Sequence, residues 1–195
     1  MQMRYTELFQ KKMIEIICDI QGQETGYEIM IEKLVQEFKQ IRKEHQMVYF
    51  IGNGGSAGIA IHMTSDFLKN GGIRTHSMHD PATITCLGND FGYAHICSKQ
   101  LEIIAMPRDV LVAISSSGNS PNILQAVKTA KEKNCRVITL SGFCPNNQLR
   151  RQGEYNIYVP IEEYGIVESL HNMILQQVVD GMMRKPEGSN SVKLY

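Results

Sequence analysis

From residue 47 onward, short continuous apolar segments alternate with longer segments of helical periodicity. The apolar runs predict five strands, at residues 47–51, 73–78 (the weakest), 110–114, 136–140 and 155–159. Helices are predicted at residues 57–69, 93–104, 122–133 and 165–183. A continuous apolar run is typical of a strand covered on both faces, and helices between such strands imply right-handed crossovers. The pattern therefore predicts an α/β domain with a flavodoxin-like, doubly wound parallel sheet.

The first 45 residues are predicted to form two helices. One carries an apolar face formed by Met30, Leu34, Phe38 and Ile41. The glycines at 22 and 26 separate it from an earlier helix that is predicted to continue as far as Ile20. Because neither helix has a core of its own, we expect both to pack on the domain or in an oligomer interface. The expected division is residues 1–45 for these helices, 46–184 for the α/β domain and 185–195 for a frayed tail.

Charge and composition exclude several classes of partner. Lys plus Arg and Asp plus Glu both number 20, so the balanced charge does not favour nucleic acid. No apolar run reaches the ~18–20 residues of a membrane helix, and the first residues lack the apolar core of a signal peptide. The five cysteines contain no CxxC pair, which argues against a disulfide framework or a cysteine zinc site. These features predict a cytoplasmic protein with no membrane or nucleic-acid partner.

The first predicted strand runs directly into a glycine-rich loop. Residues 52–57 read GNGGSA, and a predicted helix begins at once. Glycines let backbone N–H groups approach a ligand, and the N-terminus of a helix favours an anion. Neither a Walker loop nor the GxGxxG dinucleotide motif is present, so no nucleotide cofactor is predicted. Taken alone, the loop is also compatible with a tight turn capped by Ser56.

A serine-rich loop follows the strand at 110–114. Residues 115–120 read SSSGNS, and Pro121 then suits the first turn of the next helix. The serines supply hydroxyl and amide donors without any cationic side chain, and Ser120 suits the N-cap. Open α/β sheets bind ligands outside the carboxyl ends of their strands. Two such loops in one small domain predict a binding site for a phosphorylated ligand.

Together the two loops, the helix with His62 and the segment GNDFG at 88–92 resemble the sugar isomerase (SIS) domain. The resemblance covers residues 25–183 and is strongest to the single-domain sedoheptulose-7-phosphate (phosphoheptose) isomerases. It implies homotetramers with active sites between subunits, and a serine-rich loop that holds the sugar phosphate. The implied substrate- and phosphate-binding residues are Asn53, Gly54, Ser56, Asp90, Ser115, Ser116, Ser117 and Ser120. For Asp90, an ordinary turn is the alternative.

The resemblance also implies catalytic residues on the first helix of the domain. His62 and Asp66 are four residues apart and share one helix face. The phosphoheptose isomerases carry histidine and glutamate at these positions; the glutamate is a catalytic acid/base, and both residues can bind zinc. Asp66 keeps the carboxylate but is one methylene shorter. Without the resemblance, the two residues are also compatible with an ordinary helix pair.

On the last helix the chain departs from the family pattern. With the register anchored on His171, Glu168 stands where the family has glutamine, and Gln176 replaces its second catalytic and metal-binding histidine. An amide cannot exchange protons near neutral pH and is a poor zinc ligand. His62, Asp66 and Glu168 could then hold one divalent metal such as zinc, or the two carboxylates could divide the acid and base roles. His171 itself is equally compatible with a packed histidine.

The sequence therefore predicts an isomerase that interconverts sedoheptulose 7-phosphate and glycero-manno-heptose 7-phosphate, for the heptose of lipopolysaccharide or capsule. Its candidate catalytic residues are Asp66, Glu168, His62 and Gln176. Two alternatives stay open. One is an isomerase or epimerase of another sugar phosphate, because Lys69 and Asn70 stand where the family has an arginine. The other is a non-catalytic binding or protein-partner module, because Gln176 replaces the usual histidine.

Overall fold

The computed structural model describes residues 4–184, so the tail predicted at 185–195 lies outside the described residues. The helices are α1 (Tyr5–Ile14), α2 (Tyr27–Lys43), α3 (Gly55–Lys69), α4 (Pro81–Phe91), α5 (Ser98–Ile104), α6 (Pro121–Glu132) and α7 (Tyr164–Met183). The strands are β1 (Ile17–Ile20), β2 (Gln23–Thr25), β3 (Met47–Ile51), β4 (Arg74–Ser77), β5 (Val110–Ser115), β6 (Arg136–Gly142) and β7 (Tyr155–Val159). The predicted strands and helices of the α/β domain are thus present, with small shifts at their ends.

The seven strands form one sheet in the order β2-β1-β7-β6-β5-β3-β4. Strands β4, β3, β5, β6 and β7 are parallel, whereas β1 pairs antiparallel with β7 and β2 pairs antiparallel with β1. Numbered along the chain, the parallel strands have the order 2-1-3-4-5, which is the flavodoxin-like arrangement. The predicted fold class is confirmed. The strand order reverses between β3 and β5, so the loops that follow these two strands lie at the topological switch point.

The prediction of a helix reaching Ile20 is wrong, because residues 17–25 form the β1–β2 hairpin. The chain turns at Gln21 and Gly22, whose φ angles of 51° and 81° suit a tight two-residue hairpin turn. Burial in this segment alternates with the strand period, since Ile16 and Cys18 are both buried. Strand β1 then pairs with the edge of β7 and extends the sheet.

Residues 81–91, for which the sequence analysis predicted no helix, form helix α4. Asp80 caps this helix by accepting a hydrogen bond from the backbone N–H of Thr83 at 2.8 Å, and Pro81 occupies its first position. The alternative that placed Asp90 in a turn is therefore wrong. The helix ends at Gly92, whose φ is 80°, and a 3₁₀ turn at Tyr93–His95 precedes α5.

Two apolar layers cover the sheet. One packs α2, α3 and α7 on one face, and the other packs α4 to α6 on the opposite face. In the first layer, Phe38 and Phe67 lie with ring centroids 4.6 Å apart, and Phe67 also contacts Phe50. The predicted buried face of α2 is confirmed, since Met30, Leu34 and Phe38 are fully buried. Within residues 4–184, no helix combines the length and apolarity needed to cross a membrane.

Candidate active site

The two loops predicted to bind phosphate converge on one cleft at the switch point. Strands β3 and β5 are neighbours, so the loops that leave their carboxyl ends lie side by side. The cleft between them has a volume of about 390 Å³. Its lining residues are Asn53, Gly54, Gly55, Ser56, Ser115, Ser116, Ser117, Ser120, Tyr164 and Glu168. Seven of the eight predicted substrate-binding positions therefore line it, and Asp90 does not.

The serine-rich loop is held in shape by its own hydrogen bonds. The Ser115 hydroxyl oxygen accepts a bond from the Gly118 N–H at 3.1 Å and lies 3.3 Å from the Ser120 hydroxyl. Gly118 has a φ of 64°, and a β-carbon there would overlap the buried Asn147 side chain. The Ser116 hydroxyl, by contrast, is buried without a partner among the described residues. A buried hydroxyl without a hydrogen-bond partner destabilises the fold, so Ser116 is the residue of this loop best placed to hydrogen-bond to a ligand.

The glycine-rich loop brings the N-terminus of α3 into the same cleft. Gly54 has a φ of 53° and directly precedes the helix, a backbone conformation that other residues rarely adopt. A β-carbon at Gly52 would overlap the backbone of Ser56. The first residues of the helix, Gly55 and Ser56, have no intrahelical acceptor for their N–H groups. These groups and the helix dipole favour an anion in the cleft.

Glu168 places a carboxylate beside this helix N-terminus. Its side chain reaches from α7 to Gly55, where any β-carbon would overlap the carboxylate. Among the described residues its carboxylate has no hydrogen-bond partner, and it is the one carboxylate that lines the cleft. Tyr164, one turn earlier, borders the same cleft and contacts the Phe143 ring edge-to-face at 4.8 Å. The cleft thus combines an anion-binding loop with a free carboxylate.

The other predicted catalytic residues, and the predicted substrate-binding residue Asp90, lie outside this cleft. His62 Nε2 and Asp66 Oδ2 are 3.6 Å apart on the outer side of α3, and the His62 side chain is 54% exposed. At 1.5 Å per residue, Asp66 is roughly 16 Å along the helix from Gly55. Gln176 lines a different cleft of about 700 Å³ beside α1 and α2. Asp90 is exposed on the last turn of α4, where the Asn89 amide donates to its carboxylate at 2.9 Å.

His171 is a packed core histidine. It is fully buried, and its Nε2 lies 3.1 Å from the Ser141 carbonyl oxygen. Burial lowers the pKa of His171 to about 4, against an opposing contribution from that hydrogen bond. The imidazole is therefore neutral at neutral pH, with its Nε2–H donating to Ser141. This confirms the packed alternative for His171.

The residues of one chain do not fit the expected metal site. His62 and Asp66 are adjacent, but Glu168 lies against Gly55 at the other end of α3. Over residues 4–184, no group of three or more histidine, cysteine, aspartate or glutamate side chains is arranged to hold a metal ion. The three residues proposed as metal ligands are thus not brought together within the subunit.

Three residues that the sequence analysis did not select support the first loop. His79, at the carboxyl end of β4, lies with Nε2 3.0 Å from the Gly52 carbonyl oxygen. Asn122 and Tyr93 both hydrogen-bond to Asn53. Asn122 directly follows the serine loop and Pro121, so its position in the sequence was a usable signal. Tyr93 and His79 carried no such signal, because they reach the loop only through the fold.

Comparison with known proteins gives the same family from the sequence and from the fold. The model of the SIS domain matches residues 9–142. The phosphoheptose isomerase of Fusobacterium nucleatum is 32% identical over 158 residues, which cover 78% of this chain and 81% of the relative. That of Citrifermentans bemidjiense is 31% identical over 182 residues, covering 90% and 92%.

A solved structure of a phosphoheptose isomerase from Francisella tularensis superposes with a TM-score of 0.79. Its sequence is 27% identical, and the match covers 93% of this chain and 95% of that one. The family model, the sequence relatives and the solved structure therefore point to the same family. The chain belongs to the SIS domain family.

Proposed function

We propose that this protein is a sugar-phosphate aldose–ketose isomerase, with sedoheptulose 7-phosphate as substrate and glycero-manno-heptose 7-phosphate as product. The observation that carries the proposal is the cleft itself, where a serine cradle for phosphate lies beside the free carboxylate of Glu168. Its relatives named phosphoheptose isomerase supply the substrate. No nucleotide takes part. We place the reaction in the cytoplasm, in the supply of heptose for lipopolysaccharide or capsule.

In the proposed complex, the serine-rich loop binds the phosphate group. Ser116 offers its unpartnered buried hydroxyl, and Ser117 and Ser120 border the same space. Hydrogen bonds to a charged oxygen are stronger than those between neutral groups, so several hydroxyl and N–H donors can replace a cationic side chain. With the phosphate held there, the sugar chain extends along the cleft toward the N-terminus of α3.

Isomerisation requires a proton to move between adjacent carbons through an enediol. In the proposal, Glu168 removes the proton from the carbon next to the carbonyl and returns it to the neighbouring carbon. Donors aimed at the carbonyl oxygen stabilise the negative charge that develops there. The N–H groups of Gly55 and Ser56 lie on the Glu168 side of the cleft and suit that role.

The proposal assigns roles to His62, Asp66 and Gln176 only in an oligomer. In a homo-oligomer, which we propose to be a tetramer, the outer faces of α3 and α7 would complete the cleft of another subunit. The exposure of His62 supports this, because the outer face of α3 that carries His62 and Asp66 can then contact another subunit. The pair would then move protons at the sugar oxygens, while Gln176, which cannot exchange protons, would only orient the substrate.

The experiment is turnover of sedoheptulose 7-phosphate by the purified protein, with the aldose product followed by chromatography. The proposal expects product formation at a rate proportional to enzyme concentration. A panel of ketose and aldose phosphates, including amino-sugar phosphates, separates the proposed substrate from a different one. Thermal stabilisation by sugar phosphates without turnover of any of them would instead indicate a non-catalytic binding module. The observation that favours this second function is Gln176, which stands where the family has its second catalytic histidine.

A further inference from the structure

The side chain of Asn53 is held from behind the cleft by a second asparagine. Asn53 Nδ2 donates to Asn122 Oδ1 at 2.8 Å, and Asn122 Nδ2 donates to Asn53 Oδ1 at 2.8 Å. Asn122 is only 1% exposed. The two amides thus form a reciprocal pair whose inner member is fixed in the core.

Tyr93 makes a third hydrogen bond to the same amide. Its hydroxyl donates to Asn53 Oδ1 at 2.9 Å. Tyr93 begins the 3₁₀ turn after Gly92, so it approaches the cleft from α4, whereas Asn122 approaches from α6. Two elements of the same helical layer therefore fix one side chain.

Among the described residues, these contacts leave the Asn53 side chain a single free hydrogen-bonding position. A carboxamide has two N–H donors and an oxygen with two lone pairs. Both lone pairs of Oδ1 are taken, by Asn122 and Tyr93, and one N–H is given to Asn122. The second N–H of the Asn53 amide remains free, and Asn53 lines the cleft. Asn53 is thus arranged as a donor to a ligand oxygen rather than as an acceptor.

The asparagine pair also joins the two loops of the site. Asn53 lies in the glycine-rich loop, and Asn122 is the second residue of α6, directly after the serine-rich loop and Pro121. The two residues are 69 positions apart in sequence. The pair therefore fixes the distance between the phosphate cradle and the part of the cleft that faces Glu168.

We propose that Asn122 and Tyr93 are positioning residues that hold the free N–H of Asn53 on an oxygen of the sugar while the serine-rich loop holds the phosphate. This inference rests on the proposed function for the identity of the sugar phosphate. It assigns the sugar end of the ligand, not the phosphate end, to the unit formed by Asn53, Asn122 and Tyr93. Correct placement of the sugar affects the chemical step more than phosphate binding.

The test uses Tyr93→Phe, which deletes one hydroxyl from a side chain that is 59% exposed. We expect kcat for sedoheptulose 7-phosphate to fall about 3- to 10-fold, the size of one neutral hydrogen bond, with KM changed less than 2-fold. Competitive inhibition by inorganic phosphate should stay within 2-fold of wild type. Tyr5→Phe, at a tyrosine that is 57% exposed, is the matched control and should change neither constant. A Tyr93→Phe enzyme with unchanged kcat would overturn the proposal, as would equal losses for sugar phosphate and inorganic phosphate.

A double-mutant cycle separates positioning from general destabilisation. Asn53→Ala removes the positioned group, so Tyr93→Phe should have no further effect on kcat in that background. Asn122→Ala should lower kcat about 10- to 100-fold, because it also leaves the Asn53 amide misplaced. Asn156→Ala, another buried asparagine, controls for lost stability and should leave kcat unchanged. Independent, additive effects of Tyr93→Phe and Asn53→Ala would contradict the proposal.

A protein that is not an isomerase would give a different result from one in which only the positioning role is wrong. If the wild-type protein binds sedoheptulose 7-phosphate but does not convert it, the same variants are compared by calorimetric Kd. The positioning unit then predicts weaker binding of the sugar phosphate in Tyr93→Phe, about 3- to 10-fold, with unchanged binding of inorganic phosphate. In a protein without turnover, equal Kd values for wild type and Tyr93→Phe would overturn the positioning role.

Discussion

The two ends of helix α3 differ in how completely one chain builds them. At its N-terminus, glycines, serines and Glu168 converge on a cleft, and hydrogen bonds within the subunit fix Asn53 and the serine-rich loop. Farther along, the exposed His62 and the half-buried Asp66 form a pair without a third partner for metal or substrate among residues 4–184. The proposed phosphate site is therefore formed by residues of one subunit. In the proposed mechanism, proton transfer depends on Glu168 alone unless another subunit supplies His62 and Asp66, the outer pair of α3.

The largest effect is expected from Glu168→Gln, which removes the carboxylate of the cleft and keeps its shape. Loss of a general base typically costs 10²- to 10⁴-fold in rate, and kcat for sedoheptulose 7-phosphate should fall by about that factor. Sugar-phosphate affinity should hold or improve, because a negative charge near the phosphate is removed. Steady-state kinetics and calorimetry measure the two quantities. A Glu168→Gln enzyme with wild-type kcat would exclude Glu168 as the base.

Two glycine variants test whether the position of the Glu168 carboxylate determines kcat. Gly55→Ala puts a β-carbon into the position of the Glu168 carboxylate, whereas Gly58→Ala meets no atom within 4 Å. We expect a clear loss of kcat in Gly55→Ala. Gly58→Ala should retain kcat and gain about 0.5–1 kcal/mol of stability, since alanine is the better helix former.

Asp66 of the outer pair allows a test of whether one subunit completes the cleft of another, with a smaller expected change in kcat. Asp66→Asn alone should reduce kcat strongly if a neighbouring cleft uses Asp66. Mixed oligomers of Asp66→Asn and Glu168→Gln subunits should then recover about a quarter to a half of wild-type activity, because some clefts pair intact residues from two chains. Co-expression with two affinity tags isolates the mixed species. Mixed oligomers that stay as inactive as each parent would show that each site takes Asp66 and Glu168 from the same subunit.

Ser116→Ala should change stability and affinity in opposite directions. The variant removes a buried hydroxyl without a partner among the described residues, so the unliganded protein should gain up to about 1 kcal/mol. The Kd for sugar phosphate should rise about 10- to 100-fold, the value of a hydrogen bond to a charged group. In Ser98→Ala, the control, a hydroxyl that donates to the His95 carbonyl is lost. That variant should lose stability and bind normally. Unchanged ligand affinity in Ser116→Ala would argue against phosphate binding at this loop.

The smallest expected change is a pH effect on folding from His171. Because burial lowers its pKa to about 4 from an ordinary 6.5, the unfolded chain binds this proton more readily than the folded protein. Stability from the neutral imidazole is complete above about pH 6.5 and is lost as the pH falls toward 4. Between pH 7.5 and 5 the loss should be about 2 kcal/mol by urea unfolding.

Two histidine variants isolate that contribution. His171→Gln should flatten the profile between pH 7.5 and 5, although the variant is less stable overall. His45→Asn, at an exposed position with a φ of 56° that asparagine tolerates, should leave the profile unchanged. An identical pH slope in wild type and His171→Gln would show that other groups cause the loss.

Much of the sheet and both loops could be predicted because their signals are local. The runs at 47–51 and 110–114 are apolar throughout, and the glycines and serines that follow are needed where a backbone must approach a ligand. The β1–β2 hairpin was missed because Ile16 and Ile20 fit a helical spacing as well as a strand. Helix α4 was missed because its Gly88-Asn89-Asp90 segment resembles turn chemistry, and the Asp80–Pro81 cap outweighed it.

The sequence by itself determined the strand–loop–helix units, and with them the place of the phosphate cradle. Such units follow from local periodicity and from residue types that only certain backbone conformations accept. Only the tertiary structure decided that Glu168 lies against Gly55, that His171 is packed in the core, and that Asn122 and Tyr93 meet Asn53. These contacts join residues 40 to more than 100 positions apart. They depend on how α7, α6 and the turn at Tyr93–His95 pack around the sheet, which no local pattern specifies.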